Sequence, residues 1–206
     1  MAVNDSDLVY TKSIKELHNI PFYDTITYNG MSNSVYRNFV TVLKTQDKEA
    51  IADKILSITS NCSSLDNVYT RERYVIEYVF AKILAESVSY CKILSDDKVN
   101  LSDIRFNDSD FSATNTIKCD NVAFTITFPY FKESFTDSDK LDTFSKVIIS
   151  VVNDAGIHQP SAVQIKTLMN KLTPNDLGYM YSWDKIGVKI GGYNFKWVID
   201  NYSNII

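Results

Sequence analysis

A hydrolytic or metal-dependent centre in this chain would have to draw on two histidines, His18 and His158, and three cysteines, Cys62, Cys91 and Cys119. Neither histidine has a second histidine or a cysteine at the short spacing that sets two ligands around one zinc ion. As general bases both lack a local partner in the sequence, and His158, close to Pro160, reads as a solvated turn residue. The cysteines are odd in number and about thirty residues apart, which fits neither a disulfide framework nor paired zinc ligands. Reduced thiols are the simpler reading. Cys91 falls in step with a helical apolar stripe and is expected to be a small core residue. No Gly-x-Ser-x-Gly elbow is present to lift a serine onto a strained, exposed turn. Gly187, Gly191 and Gly192 form Gly-x-x-x-Gly-Gly, but the strand-like residues around them point to a hairpin rather than a phosphate cradle. Asp108 with Asp110, and Asp137 with Asp139, have the spacing of calcium-loop ligands. Neither pair is followed by the glycine and bidentate glutamate that such a loop requires. No catalytic, metal-binding or cofactor-binding residue is expected.

Composition narrows the partners. The net charge is −4, from 25 acidic against 21 basic residues. Arginine, the usual side chain for bidentate phosphate and base-edge contacts, is scarce: Arg37, Arg71, Arg73 and Arg105. An acidic chain without a basic run has no electrostatic footprint for a polyanion, so nucleic acid is not an expected partner. The first residues lack a basic stretch followed by an apolar one, and no window approaches the eighteen or so apolar residues of a membrane span. At 206 residues, with 45% hydrophobic and 22% charged side chains, the chain has the make-up of one globular domain over 1–206. A chain of that size removes roughly 70% of its unfolded surface from water, and so needs no covalent staple.

The elements that would hold such a domain together follow from periodicity. Ser32 or Ser34 caps a helix starting near Val35, and Asp47 caps the next, with Ile51, Ile55 and Ile58 on one side. From a Thr70 cap, Ile76, Phe80, Ile83, Leu84, Ser87, Val88 and Cys91 form one stripe over four turns, and Tyr74, Tyr78 and Val79 widen it. This helix is expected at the centre of the core. After it the period falls to two: Val99 and Leu101, then Val122, Phe124, Ile126 and Phe128. Residues 98–130 are therefore read as a small antiparallel sheet. Helices are expected again over 137–183: Thr136 and Asp139 have capping-box spacing ahead of Leu141, Phe144, Ile148 and Val151, with Gly156 as a stop. Ser161 and Gln164 form a second box, and Thr173-Pro174 begins a third helix. Gly191-Gly192 sits at the turn of a C-terminal β-hairpin within a tail over 185–200, although Trp197 to Tyr202 suits a helix equally. The fold class is α+β, with helices over 31–94 and 137–183 on the two sides of the sheet.

The chain is rich in aromatic residues towards both ends, beyond what a core of this size needs. Aromatic rings cover contact area at low entropic cost and are enriched at protein interfaces. Tyr179, Trp183, Tyr193 and Trp197 are the candidate partner contacts on that ground.

Two short helices, the long helix RERYVIEYVFAKILAESV, a β section opening on KVNLSDI, helices ending in NKLTPNDL, and the hairpin-like KIGVKIGGYNFKWV follow one another in order. That order resembles the baseplate hub subunit family of T-even-type contractile-tailed bacteriophages, over about residues 20–200. The resemblance implies a non-enzymatic role, either as a hub component or as a hub assembly factor. It implies other phage tail or baseplate proteins as partners, in the host cytoplasm during assembly or in the tail baseplate of the virion, and leaves homo-oligomerisation open. It supplies no cofactor and no catalytic residue to carry over. The alternative is a small phage-encoded protein that binds a host protein as an inhibitor or adaptor; presence in purified particles separates the two.

Overall fold

A computed structural model describes residues 14–18, 20, 25–88, 90–93, 98–106, 114–119, 122–127, 129–136, 148–153, 156–159, 161–170, 172–175 and 187–203. A short antiparallel pair, β1 (Lys15–Leu17) and β2 (Ile26–Tyr28), leads into the helices. Ser32 is the cap of α1 (Asn33–Leu43): its Oγ accepts from the Val35 amide at 3.3 Å. Asp47 caps α2 (Lys48–Cys62) more firmly, since Oδ1 accepts from the Glu49 and Ala50 amides at 3.0 and 3.1 Å. Each cap satisfies amides that the first helical turn leaves without partners, worth about 1 kcal/mol.

The third helix departs from the expected cap. Thr70 belongs to a short 3₁₀ turn (Val68–Thr70), where its hydroxyl donates to the Asn67 carbonyl at 3.2 Å. Helix α3 (Arg73–Ser87) starts after Glu72, whose side chain makes no capping bond. Backbone pairing with a distant segment does that work: the Arg73 amide donates to the Pro129 carbonyl at 2.8 Å, and the Phe131 amide to the Arg71 carbonyl at 3.2 Å. Such non-local capping leaves no mark on the sequence around residue 70. The central position of α3 is as expected, with Tyr74, Val75, Ile76, Val79, Phe80, Ala81, Ile83 and Leu84 all buried. The helix ends at Ser87, however, and Val88 is extended. Cys91 lies on a strand, β3 (Tyr90–Ile93), because backbone ladders on both sides of that segment replace the helical bonds.

The chain is α+β, with helices flanking small antiparallel sheets. Among the described residues, 98–130 contribute four strands, β4 (Lys98–Asn100), β5 (Ile104–Phe106), β6 (Thr114–Cys119) and β7 (Val122–Thr127), and these are shared among three sheets rather than forming one. The divergence begins at Asn100. Its Oδ1 accepts from the Ser102 amide at 3.0 Å, a side-chain turn that bends the chain between β4 and β5. Helix α4 (Phe131–Thr136) follows, so Thr136 ends a helix instead of capping one, its hydroxyl donating to the Lys132 carbonyl at 2.9 Å. Asp139, Leu141 and Phe144 lie outside the described residues.

Ile148 and Val151, expected on a helix, lie in β8 (Ile148–Asn153), and Gly156 opens β9 (Gly156–His158) instead of stopping a helix. The mistaken period has a physical cause. Val151 faces Phe124 and Ser150 faces Thr125, but Ile148 then faces Ile126, so β8 carries one extra residue against β7. That bulge turns both Ile148 and Val151 towards the core at an interval of three, which imitates a helix. Sheet order here is β6-β7-β8-β9. Helix α5 (Ala162–Met169) has the expected reciprocal capping box of Ser161 and Gln164. Leu177, Met180 and Tyr181 lie outside the described residues.

The last segment binds the rest together. β10 (Val188–Ile190) and β11 (Tyr193–Asn194) form the expected hairpin around Gly191-Gly192. Both glycines have positive φ, 57° and 91°, as a two-residue turn of this twist demands. A Cβ on Gly191 would stand 2.8 Å from Val99 Cγ1, so side chains are excluded on packing grounds as well. Helix α6 (Phe195–Asp200) and β12 (Tyr202–Ser203) complete the described chain. This one segment adds strands to two sheets, β11-β10-β5 and β12-β3-β4. A continuous hydrophobic cluster runs from Leu17 to Ile199. At its centre Phe80 packs edge-on to Phe39 (centroids 5.2 Å apart) and to Phe195 (6.0 Å).

Candidate functional site

The strand-to-helix junction at the end of the hairpin builds an exposed aromatic pair. Tyr193 occupies the short strand β11, and Trp197 follows four residues later in the first turn of α6. Burial of Phe195, Val198 and Ile199 fixes the roll of the helix, and that roll sends Trp197 outward. The two rings stack with centroids 4.6 Å apart and planes 15° from parallel. Tyr193 remains 37% and Trp197 39% exposed. Two large rings held against each other have already lost their rotamer freedom, which lowers the entropic cost of a partner settling on them. On the same helix, Lys196 spans to Asp200 with Nζ–Oδ2 at 3.2 Å and lies over the Phe135 ring at 4.2 Å. The ammonium is covered but not aligned for a hydrogen bond, so the contact with Asp200 is an ion pair.

Of the four sequence candidates, the structure therefore brings Tyr193 and Trp197 together. Tyr179 and Trp183 lie outside the described residues. Exposed groups that sequence reasoning missed are Tyr69 and Tyr130, on segments packed near α4, and Val152 and Ile157, which are direct cross-strand neighbours on β8 and β9. Alternation in β8 would have predicted an outward Val152, had the segment been read as a strand.

Chemistry is sparse by comparison. His18 does find partners: Nδ1 lies 3.2 Å from Thr25 Oγ1 and Nε2 3.3 Å from Glu16 Oε2. Hydroxyl, imidazole and carboxylate thus stand in relay order, but all three are exposed, and water screens the field that would activate the hydroxyl. The trio fastens the β1–β2 pair. His158 ends β9 rather than sitting in a turn. Burial pushes the Cys62 thiol up, away from the thiolate that nucleophilic chemistry needs. Asp108, Asp110, Asp137 and Asp139 lie outside the described residues. Among the described residues no group of three or more His, Cys, Asp or Glu side chains is placed to hold a metal ion, and no helix is long and apolar enough to cross a membrane.

The family model for T4 bacteriophage base plate proteins matches residues 11–183. The chain belongs to that family. Among curated proteins and solved structures nothing matches it. Within this base plate protein the matched span takes in the elements from β1 to α5, together with positions 179 and 183. The hairpin, α6 and the Tyr193–Trp197 pair lie beyond it.

Proposed function

We propose that this base plate protein is a single-domain component or assembly factor of the tail hub, acting without catalysis through contacts with other tail or baseplate proteins. The observation that carries the reading is the family match over most of the chain. The surface offered to a partner is the stacked Tyr193–Trp197 pair, the kind of rigid aromatic anchor around which protein interfaces concentrate their binding energy. Tyr179 and Trp183 are proposed to extend it.

Quantitative mass spectrometry of purified phage particles and of tail-assembly intermediates tests the role. A stoichiometric copy number in particles makes the chain a hub component. Presence on intermediates and depletion from finished particles makes it an assembly factor. Absence from both, with recovery on a host protein, contradicts the proposal.

A further inference from the structure

We infer that Glu77 is a positioning residue for the Tyr193–Trp197 surface, a role that presupposes the reading of that pair as a partner contact. Glu77 lies in the second turn of α3 and is only 2% exposed, the one carboxylate among the described residues to be buried. A charge so placed is costly unless every lone pair facing inward is used. Here the two oxygens are divided between two parts of the chain. Oε1 accepts from Arg73 Nε at 2.9 Å, and Oε2 accepts from the Val188 amide at 3.1 Å. Arg73 also donates from Nη1 to Ser134 Oγ at 3.1 Å, so α3, α4 and β10 are joined at one ion pair. Gly187 passes directly over it: a Cβ there would stand 3.0 Å from Arg73 Nη2 and 3.2 Å from Glu77 Oε2.

From the pinned amide to the aromatic pair the path is short and stiff. β10 runs from Val188 to Ile190, and the glycine turn and Tyr193 follow at once. The turn cannot absorb a shift of the strand, because Gly191 abuts Val99 and its amide donates to the Asp103 carbonyl at 2.8 Å. An apolar side chain at position 77 would fill the space but would not fix which amide sits there. A charge-assisted bond to one amide does select it, and so reinforces the register that the β5 ladder sets, with Val188 opposite Phe106. A slip of one residue would exchange the inward Ile190 for Lys189 and move Tyr193 out of reach of Trp197.

The test needs no partner, so its failure is distinct from failure of the hub reading. In a Trp183→Phe chain, Trp197 is the single tryptophan, and its acrylamide quenching and near-ultraviolet circular dichroism report the stack. Hydrogen exchange is followed in parallel over 187–203 and over α2. Glu77→Leu is expected to raise exchange of the Val188 to Asn194 amides about tenfold and to expose Trp197, with α2 unchanged. Glu77→Gln, which keeps an oxygen for the Val188 amide, should restore most of the protection and of the dichroism. Should Glu77→Leu fail to fold, Gly187→Ala crowds the same ion pair without removing it and should give the same local pattern more weakly. Unchanged quenching and exchange in 187–203, or loosening spread equally over α2, overturns the assignment.

Discussion

The hydroxyl of Tyr36 on α1 meets the hydroxyl of Tyr202 on β12 at 2.9 Å, across 166 residues of sequence. The first helix and the last described strand are therefore fastened to each other at a half-buried site, close to the edge-on contact of Phe39 with Tyr202. Tyr36→Phe leaves the ring in place and removes one hydroxyl. The expected loss is about 0.5–1.5 kcal/mol of unfolding free energy, read from urea titration, with an unchanged m-value. A stability equal to that of the parent chain would mean that water replaces the bond without cost.

Phe80 is the side chain on which the helices and the C-terminal segment converge, between Phe39 and Phe195. Phe80→Ala should cost about 3–5 kcal/mol, because a fully buried ring is replaced by a cavity with aromatic walls. Against a total stability of about 5–15 kcal/mol, that change brings the fold to the margin. Tyr69→Ala, at an exposed ring, should stay within about 0.5 kcal/mol. Thermal unfolding of the two variants side by side checks the contrast.

Asp103 and Arg105 give a pH signature. The hydrogen bond from the Arg105 guanidinium holds the Asp103 carboxyl below the usual aspartate range. A carboxyl depressed in the folded state contributes stability above its unfolded pKa, and that contribution is lost as pH falls through the folded value. The window therefore opens below about pH 4. Arg105 is exposed and Asp103 only partly covered, so the effect on stability is small and salt-sensitive. Carboxyl-carbon NMR should show the Asp103 midpoint rising towards the ordinary value in Arg105→Gln. An unmoved midpoint would show that the pair does not persist in solution.

Cys62 offers a reactivity test. Its thiol is pushed up by burial at the C-terminal end of α2, so the thiolate fraction near pH 8 should fall below that of a free cysteine. Peptide-level mass spectrometry after brief iodoacetamide treatment should find Cys62 labelled slowly in the native protein and readily in urea. Fast native labelling would contradict the burial.

What was legible in the sequence was whatever is decided locally. Ser32, Asp47 and the Ser161–Gln164 box announce helix starts because a cap and the amides it serves are two or three residues apart. Gly191-Gly192 announces its turn because only glycine accepts that backbone without strain. The errors share the opposite character. The start of α3 is set by Pro129, far along the chain, and the bulge in β8 is defined only by its pairing with β7. Cys91 keeps step with a helix that had already ended at Ser87. The site divides in the same way. Tyr193 and Trp197 are four residues apart and stand out as an aromatic pair, whereas the bond that pins their strand joins Val188 to a glutamate 111 residues earlier. Nothing in the neighbourhood of Glu77 distinguishes it from a solvated helix charge.

Tail yield in an infection that depends on the supplied chain addresses the partner surface most directly. Cells carrying Tyr193→Ala/Trp197→Ala, infected by phage lacking the corresponding gene, should yield at least about tenfold fewer complete tails by electron microscopy than cells carrying the parent chain, as expected when two interface anchors are removed. The purified variant should keep its far-ultraviolet dichroism and melting temperature. Full tail yield from a variant shown to be folded would rule these two rings out as the proposed partner contact.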